Sequence, residues 1–310
     1  MISWKQALLA AVAIVFAALR IASSNHHVTF EQWKAEHGRT YSSTFEEAYR
    51  EMVWTTKLAA AEAHNSNSSH TYKMGLNQFS DLTREEYIHQ YLTLKPITST
   101  VELSDEESAH PNGDIDWVVA GKVTLIKDQG SCGSCWAFSA VAALESGVLI
   151  AGQPQQLFSE QQLVDCARSF GNQGCQGGWM DNAFKYVIAK GIASQFEYPY
   201  VAVDQTCKID GGQFKIKSFV DLSGCNNIAN ALTSRPISVA VDASNWDPYQ
   251  SGIFSNCGQS VNHGVLVVGI KNGFWLIKNS FGRFWGESGY IRLGPGNTCG
   301  LCSYPSYPIL

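Results

Sequence analysis

The chain has 310 residues, 45% of them hydrophobic and 16% charged, with a formal charge of −5. That length holds one large domain or two modest ones, each with a core of its own. The acidic balance excludes a nucleic-acid binder, which needs a basic face. The 27 glycines and 9 tryptophans, set among few charges, exclude a coiled coil and a disordered chain.

In chain order, MISWK with Lys5 is a short basic region. ALLAAVAIVFAAL (7–19) is apolar, and Arg20 and small residues follow to Ser24. This predicts a secretory signal peptide over 1–23. The alternative is an uncleaved anchor, for which the apolar stretch is short. The predicted destination is the secretory pathway, ending in a lysosome-like compartment or outside the cell, where disulfides persist. Residues 25–92 are charged and helical in pattern. Phe30, Trp33 and Tyr41 form a loose apolar face, and 44–65 is a long amphipathic helix with Thr44 as N-cap. In 73–87, Gly75 marks a turn, Phe79 a buried contact, and Asp81 or Thr83 a helix start. Asn67-Ser68-Ser69 is a glycosylation triplet, or a chance one. Residues 93–112 lack periodicity and carry Glu102, Asp105, Glu106 and Glu107, as a solvated spacer or a protease-accessible junction would.

From Asp116 the chain is rich in Gly, Trp and Cys. Helices are predicted over 134–152 with Ser134 as N-cap, 158–167 with Ser159 as N-cap, and 179–191 ending at Gly191. Beyond about 213 the segments KIKSFVDL, PISVAVDA, HGVLVVGI, GFWLIKNS and GYIRLG read as strands. Helices followed by strands predict an α+β protein in two lobes.

There are 9 cysteines, none before Cys132, so one is left unpaired or linked to another chain. Cys135 falls at the first turn of the 134–152 helix, where free N–H groups and the helix dipole favour an anion. A thiol there has a lowered pKa, and its thiolate is a nucleophile. Cys132 lies outside the helix and is better placed to bridge. A bridged or inert Cys135 is the competing reading. His263 stands at the entry of an apolar strand and is a candidate base. Asn279, at the end of the next strand, is a candidate orienter. Gln129 could offer an amide N–H to an oxyanion, with the Cys135 backbone N–H as second donor.

CGSCW (132–136), with His and Asn downstream, matches a known signature. On it, and on 116–139, CQGGWM (175–180), NHG (262–264) and KNSFGRFWGESGYIRL (278–293), the chain resembles a papain-family cysteine protease of the cathepsin L-like type, over about 28–310. The resemblance implies a two-lobed papain-like fold, with a helical left lobe and a β-barrel-like right lobe, preceded by a helical inhibitory propeptide. The implied divisions are 1–23, 24–110 and 111–310. It implies Cys135 as nucleophile, His263 as its partner, Asn279 as orienter and Gln129 as oxyanion donor. Gly177 and Gly178 would pair with an extended peptide. Trp179, Met180, Ala240, Asn262, Gly264 and Tyr304 would line the substrate site. Glu46, Arg50, Trp54, Lys57, Ala61 and Asn65 fall on the spacing of the family's propeptide helix motif, though only Glu46, Arg50 and Asn65 are the usual types. Gly75, Asn77, Phe79 and Asp81 match a second propeptide motif.

The family pattern implies bridges Cys132–Cys175, Cys166–Cys207 and Cys257–Cys299. Cys225 and Cys302 are extra, and a fourth bridge is expected between them. Phe281 stands where the family usually has Trp, so a wetter His–Asn hydrogen bond is expected. Small or apolar pocket residues imply a preference for an apolar side chain at the second position before the cut, and no long insertion between Trp136 and Cys207 blocks the cleft, so an endopeptidase is expected. Expected partners are protein and peptide substrates, the chain's own propeptide and cystatin-like inhibitors, with no nucleic acid, and the enzyme is expected to be a monomer. No cofactor or metal is expected, because the CxxC pairs lack zinc-finger context, and a thioredoxin-like protein has no use for His263 and Asn279. A catalytically silent homologue with a binding role is the remaining alternative. Residues 24–110 hold seven Lys/Arg against thirteen Asp/Glu, and 111–310 thirteen against fourteen. Acid is therefore expected to weaken the upstream segment and expose Ser108–Asn112.

Overall fold

The computed structural model describes residues 28–94 and 113–310. The leader and the junction near Ser108–Asn112 lie outside the described residues. The chain divides after Thr55 into two compact units.

In the first unit, helix α1 (Phe30–Glu36) starts at Thr29. Thr29 and Gln32 bond reciprocally in a capping box, satisfying two otherwise free backbone donors. Helix α2 (Thr44–Ser66) begins here. Ser43 caps it rather than Thr44: the Glu46 N–H donates to the Ser43 hydroxyl at 3.1 Å, because the helix starts one residue earlier than its apolar pattern suggests. The Phe30 ring lies 5.9 Å from Trp33, 6.2 Å from Tyr41 and 5.7 Å from Trp54, so aromatic contact supplies this small unit's core.

The second unit opens with the end of α2, then strand β1 (Tyr72–Met74) and helix α3 (Arg84–Tyr91). Thr83 caps α3 in a box with Glu86. The Asn65 side chain clamps α2 to β1, donating to Met74 O at 2.7 Å and accepting from Met74 N at 3.0 Å. Strand β2 (Ile115–Asp116), helices α4 (Cys135–Ile150), α5 (Glu160–Cys166) and α6 (Met180–Lys190), strand β3 (Ser218–Asp221) and helix α7 (Cys225–Leu232) follow. Then come β4 (Ile237–Val241), β5 (Tyr249–Phe254), β6 (His263–Lys271), β7 (Phe274–Lys278), β8 (Tyr290–Leu293) and β9 (Ser306–Ile309).

Two apolar cores form in this unit. One surrounds α4 and takes in α5 and α6. Apart from Gly147, Leu149 and Ile150, α4 is buried along its whole length, as expected of a helix apolar on every side. The other core lies on the sheet, ordered β1-β5-β8-β7-β6-β4-β9-β3 with β2 on β6, and on α7. This is the α+β arrangement expected. Short strands β1, β2, β5 and β9 and helix α7 escape the sequence pattern. β5 (YQSGIF) has little alternation, and α7 starts from Gly224 at φ +80° with no capping side chain.

The seam between the cores is polar. The Ser139 hydroxyl of α4 donates to Val265 O of β6 at 2.7 Å, and the Ser238 hydroxyl of β4 donates to Ser139 O at 3.1 Å. Lys127 reaches both Glu145 and Glu160 at 2.6 Å, and Lys278 donates to Thr124 O at 2.8 Å. Glu145 and Glu160 have Lys127 as their counterpart, without which burial costs several kcal/mol, while the Lys278 ammonium is held by Thr124 oxygens.

Disulfides join Cys132–Cys175, Cys166–Cys207, Cys225–Cys302 and Cys257–Cys299. Cys225–Cys302 spans 77 residues and ties α7 to the chain just before β9. Replacing both of these cysteines with alanine is expected to cost about 2–4 kcal/mol through restored chain entropy. A thermal melt of the purified full chain reads this as a lowered midpoint; an unchanged midpoint contradicts it.

Candidate active site

Cys132 is bridged to Cys175, which leaves Cys135 as the free thiol among the described cysteines; it is buried at the first residue of α4. Ser134 holds the N-cap position but makes no cap bond. Its hydroxyl instead lies 2.7 Å from the Tyr200 hydroxyl, which donates to Gln129 O at 2.7 Å. The backbone N–H groups of Cys135, Trp136, Gly264 and Leu94 all act on the sulfur in the direction that favours a thiolate. Gly264 allows this approach, since a Cβ there would meet Met180 Sδ at 3.2 Å and Cys135 O at 3.3 Å.

His263 is the first residue of β6 and wholly buried. Its Nε2 lies 2.8 Å from Asn279 Oδ1. An amide oxygen only accepts, so Nε2 carries the proton and Nδ1 is left with a lone pair. Nδ1 has no hydrogen-bond partner among the described residues. Asn279 Oδ1 is held from its other side by the Ser280 N–H at 2.8 Å. Phe281 stacks on the imidazole with centroids 4.8 Å apart, and Trp285 meets Phe281 edge-on at 5.3 Å. Phe281 is 1% exposed, with Phe79, Tyr87 and Tyr91 packed on it, so the His–Asn bond is dry while the strap is in place.

Burial reverses the ionisation expected for the thiol. Loss of hydration pushes Cys135 up to about 11, although the surrounding N–H groups pull the other way. The same loss pushes His263 down to about 4, with its bond to Asn279 opposing. Both groups are neutral here, because a charge out of water costs more than a helix end returns.

The cover is the segment from Gln78 to Leu94. The Gln78 side chain donates to Phe281 O at 2.5 Å, and Phe79 packs edge-on against Phe281 at 5.1 Å. Gln129 donates from Nε2 to Tyr91 O at 3.2 Å and to Cys132 O at 3.1 Å, while its Oε1 accepts from Ser280 at 2.7 Å. The Thr93 hydroxyl donates to Gly133 O at 2.8 Å, and Leu94 N–H donates to Asn262 O at 3.1 Å. Thr93 and Leu94, expected to belong to the linker, are instead packed into the site. No apolar period marks so short a strap, and nothing in the local sequence reveals it.

The remaining predicted site residues sit around this strap. A Cβ on Gly177 would fall 2.1 Å from Thr93 O, so that glycine makes room for an overlying backbone. A Cβ on Gly178 would strike Asn172 Oδ1 at 2.5 Å and the Trp136 ring at 2.8 Å, so Gly178 serves internal packing. Trp179, Met180, Ala240 and Leu94 share one buried cluster, against which Tyr304 packs. Trp179 and Tyr304 meet edge-on at 5.3 Å. Asn262 offers its carbonyl to the strap, while its side chain turns away to Ala243 N and Ser244. Upstream, β1 pairs antiparallel with β5, Lys57 bridges Phe79 O and Asp247, and Asn77 donates to Asp247 O.

A free thiol at a helix start, an imidazole oriented by an amide and a strap built from the chain's own upstream residues define a thiol peptidase in precursor form. Comparison with known proteins agrees. The papain family cysteine protease pattern matches residues 111–309, and the cathepsin propeptide inhibitor domain (I29) matches 30–87. The chain belongs to the papain family of cysteine peptidases and carries the family's propeptide. Cathepsin L 2 of Paramecium tetraurelia is 43% identical over 288 residues, covering 91% of this chain and 92% of the relative. Cathepsin S of Bos taurus is 39% identical over 309 residues, covering 92% of each. Digestive procathepsin L 3 of the Tenebrio molitor larval midgut superposes with a TM-score of 0.81 at 38% identity, over 90% of this chain and 97% of that one.

Leu94 is 2% exposed, so Leu94→Ala is expected to cost the strap about 2 kcal/mol or more. In the intact precursor, Cys135 should then react with a small thiol reagent at least tenfold faster. An unchanged labelling rate would show that Leu94 does not hold the cover down.

Proposed function

We propose that the enzyme is an endopeptidase that works through Cys135, His263, Asn279 and Gln129 once residues 24 to about 110 are removed, leaving 111–310 as the mature enzyme. The observation that carries this reading is the 2.8 Å bond from His263 Nε2 to Asn279 Oδ1, which leaves Nδ1 unpartnered on the residue next to Gly264, whose backbone N–H acts on the free thiol. With the strap gone, water and the first-turn N–H groups stabilise a thiolate, and His263 Nδ1 takes its proton. The sulfur attacks the peptide carbonyl. The Cys135 N–H and the Gln129 Nε2–H stabilise the oxyanion, since Gln129 no longer donates to Tyr91 O. Collapse breaks the C–N bond, and the Nδ1 proton goes to the leaving amine. His263 then takes a proton from a water whose oxygen attacks the thioester carbonyl; collapse breaks the C–S bond, releases the carboxylic acid and re-forms the thiolate beside the protonated imidazole. Asn279 keeps the ring in the productive tautomer throughout.

The strap supports both a direction and a preference. From Gln78 at Phe281, through Tyr91 at Gln129, to Thr93 and Leu94 beside Gly177 and Asn262, it runs from the imidazole side of Cys135 toward the glycine wall. A substrate's leaving amine must depart on the imidazole side, so a substrate runs the opposite way and the strap is not cut. Leu94 occupies the Trp179–Met180–Ala240 cluster, which supports an apolar residue at the second position before the cut, with arginine disfavoured. Acid in a lysosome-like compartment, or outside the cell, would open the precursor.

The acid dependence follows from His263. The closed precursor holds this residue near 4, and an opened form without the Cys135 thiolate returns it to the usual value near 6.5. Between these values the opened form binds more protons. Opening therefore gains about 1.4 kcal/mol for each pH unit lost below 6.5, reaching roughly 3 kcal/mol by pH 4. Above 6.5 this contribution vanishes. In a Cys135→Ala precursor, which does not cut itself, the thermal midpoint should fall as pH drops through this window. Adding His263→Gln should flatten the fall; an equal fall in both proteins contradicts the mechanism.

The direct test of function is hydrolysis of a fluorogenic dipeptide after acid processing. Turnover should be present in the wild type and absent in Cys135→Ala. A positional peptide library should select branched or aromatic apolar residues at the second position, and selection of arginine there would overturn the pocket assignment.

A further inference from the structure

We propose that Asn67 is an N-glycan acceptor whose sugar marks the precursor alone and leaves with the prosegment. The second half of this statement rests on the maturation described under Proposed function. Asn67-Ser68-Ser69 is the only Asn-X-Ser/Thr triplet in the 310 residues. It lies on the turn directly after α2, and residues 66–71 are all exposed. Of the side chains, exposed His70 reaches the acceptor nitrogen. Asn67 Oδ1 accepts from the Ser69 N–H at 3.0 Å and from the Ser69 hydroxyl at 2.8 Å. Both bonds draw electron density toward the amide oxygen. They also hold the carbonyl against Ser69 on an exposed residue, leaving Nδ2 free of any backbone bond. The nearest partner of Nδ2 is His70 Nε2, 3.5 Å away and exposed.

The modification is compatible with the folded turn. Nδ2 attacks C1 of an oligosaccharide carried on a lipid diphosphate, the donor class of the secretory lumen. The N–C1 bond forms, and the C1–O bond to phosphate breaks with its electron pair leaving on the diphosphate. One Nδ2 proton passes to a base of the transferase. The second N–H stays on Nδ2 and keeps its reach to His70, so the local bonds survive. The strand that follows, β1, pairs with β5 through backbone groups at Tyr72–Met74 and needs nothing from Asn67.

The placement has a consequence for sorting. Residues 111–310 contain no acceptor triplet, so the mature enzyme carries no N-glycan. A sugar-reading protein of the secretory pathway would engage the precursor and release it on maturation.

The full chain with its leader is made in a eukaryotic secretory host as Cys135→Ala, so that precursor accumulates whether or not the enzyme turns over. Amidase that cleaves N-glycans should sharpen and lower the band of the secreted, disulfide-bonded precursor and leave aspartate at position 67 in its mass spectrum. Asn67→Gln and Ser69→Ala should abolish the shift, and Ser69→Thr should keep it. An amidase-resistant secreted precursor overturns the proposal, as does a shift that survives Asn67→Gln. In the wild type the processed enzyme should show no shift, and a shift there overturns the precursor-only assignment. A failure of the peptidase reading would appear separately, as a wild type without turnover.

Discussion

The site depends on one seam, where the first turn of α4 meets the first residues of β6. The Ser139 hydroxyl bonds Val265 O across it, and the missing side chain at Gly264 lets the strand close to within van der Waals distance of Cys135. The helix end brings unsatisfied N–H groups, and the strand end brings an imidazole fixed by Asn279. Neither element alone makes a nucleophile. Their meeting places a thiol and an imidazole in one dry crevice, and the paired charges Lys127–Glu145 and Lys127–Glu160 stiffen the seam behind it.

Dryness explains both activity and its suppression. In the mature state proposed above, a low dielectric would strengthen the ion pair and the oxyanion donors. In the precursor the same site, sealed by residues 78–94, loses the water that would support either charge, so thiol and imidazole stay neutral. Suppression is then more than steric. The strap occupies the cleft, takes the Gln129 N–H for the Tyr91 carbonyl, and holds the acid–base pair in the wrong protonation state. On the reading proposed above, proton uptake by His263 would link that inhibition to pH without a dedicated sensor.

The residues to which we assign chemistry were legible in the sequence because their local setting is distinctive. Cys135 sits between a cysteine that bridges and a helix that is apolar throughout, and His263 opens an apolar strand. Phe30, Trp33 and Tyr41, read as one face, do meet. What stayed hidden depends on distant partners. Thr93 and Leu94 read as linker because their burial is set by Gly133, Gly177 and Asn262 and not by neighbours in sequence. The cap of α2 slipped from Thr44 to Ser43, a one-residue choice that hydroxyl chemistry alone does not make. Strand β5 lacks alternation because much of it is half-exposed and its order comes from pairing with β1 and β8.

The central claim is that covering the site changes the charge state of its catalytic pair. Histidine-selective NMR titration of His263, in the intact precursor and in the processed enzyme, measures this directly. The account predicts a ring that stays neutral down to about pH 4 in the precursor and is protonated at markedly higher pH after processing. The same titration midpoint in both forms would contradict it.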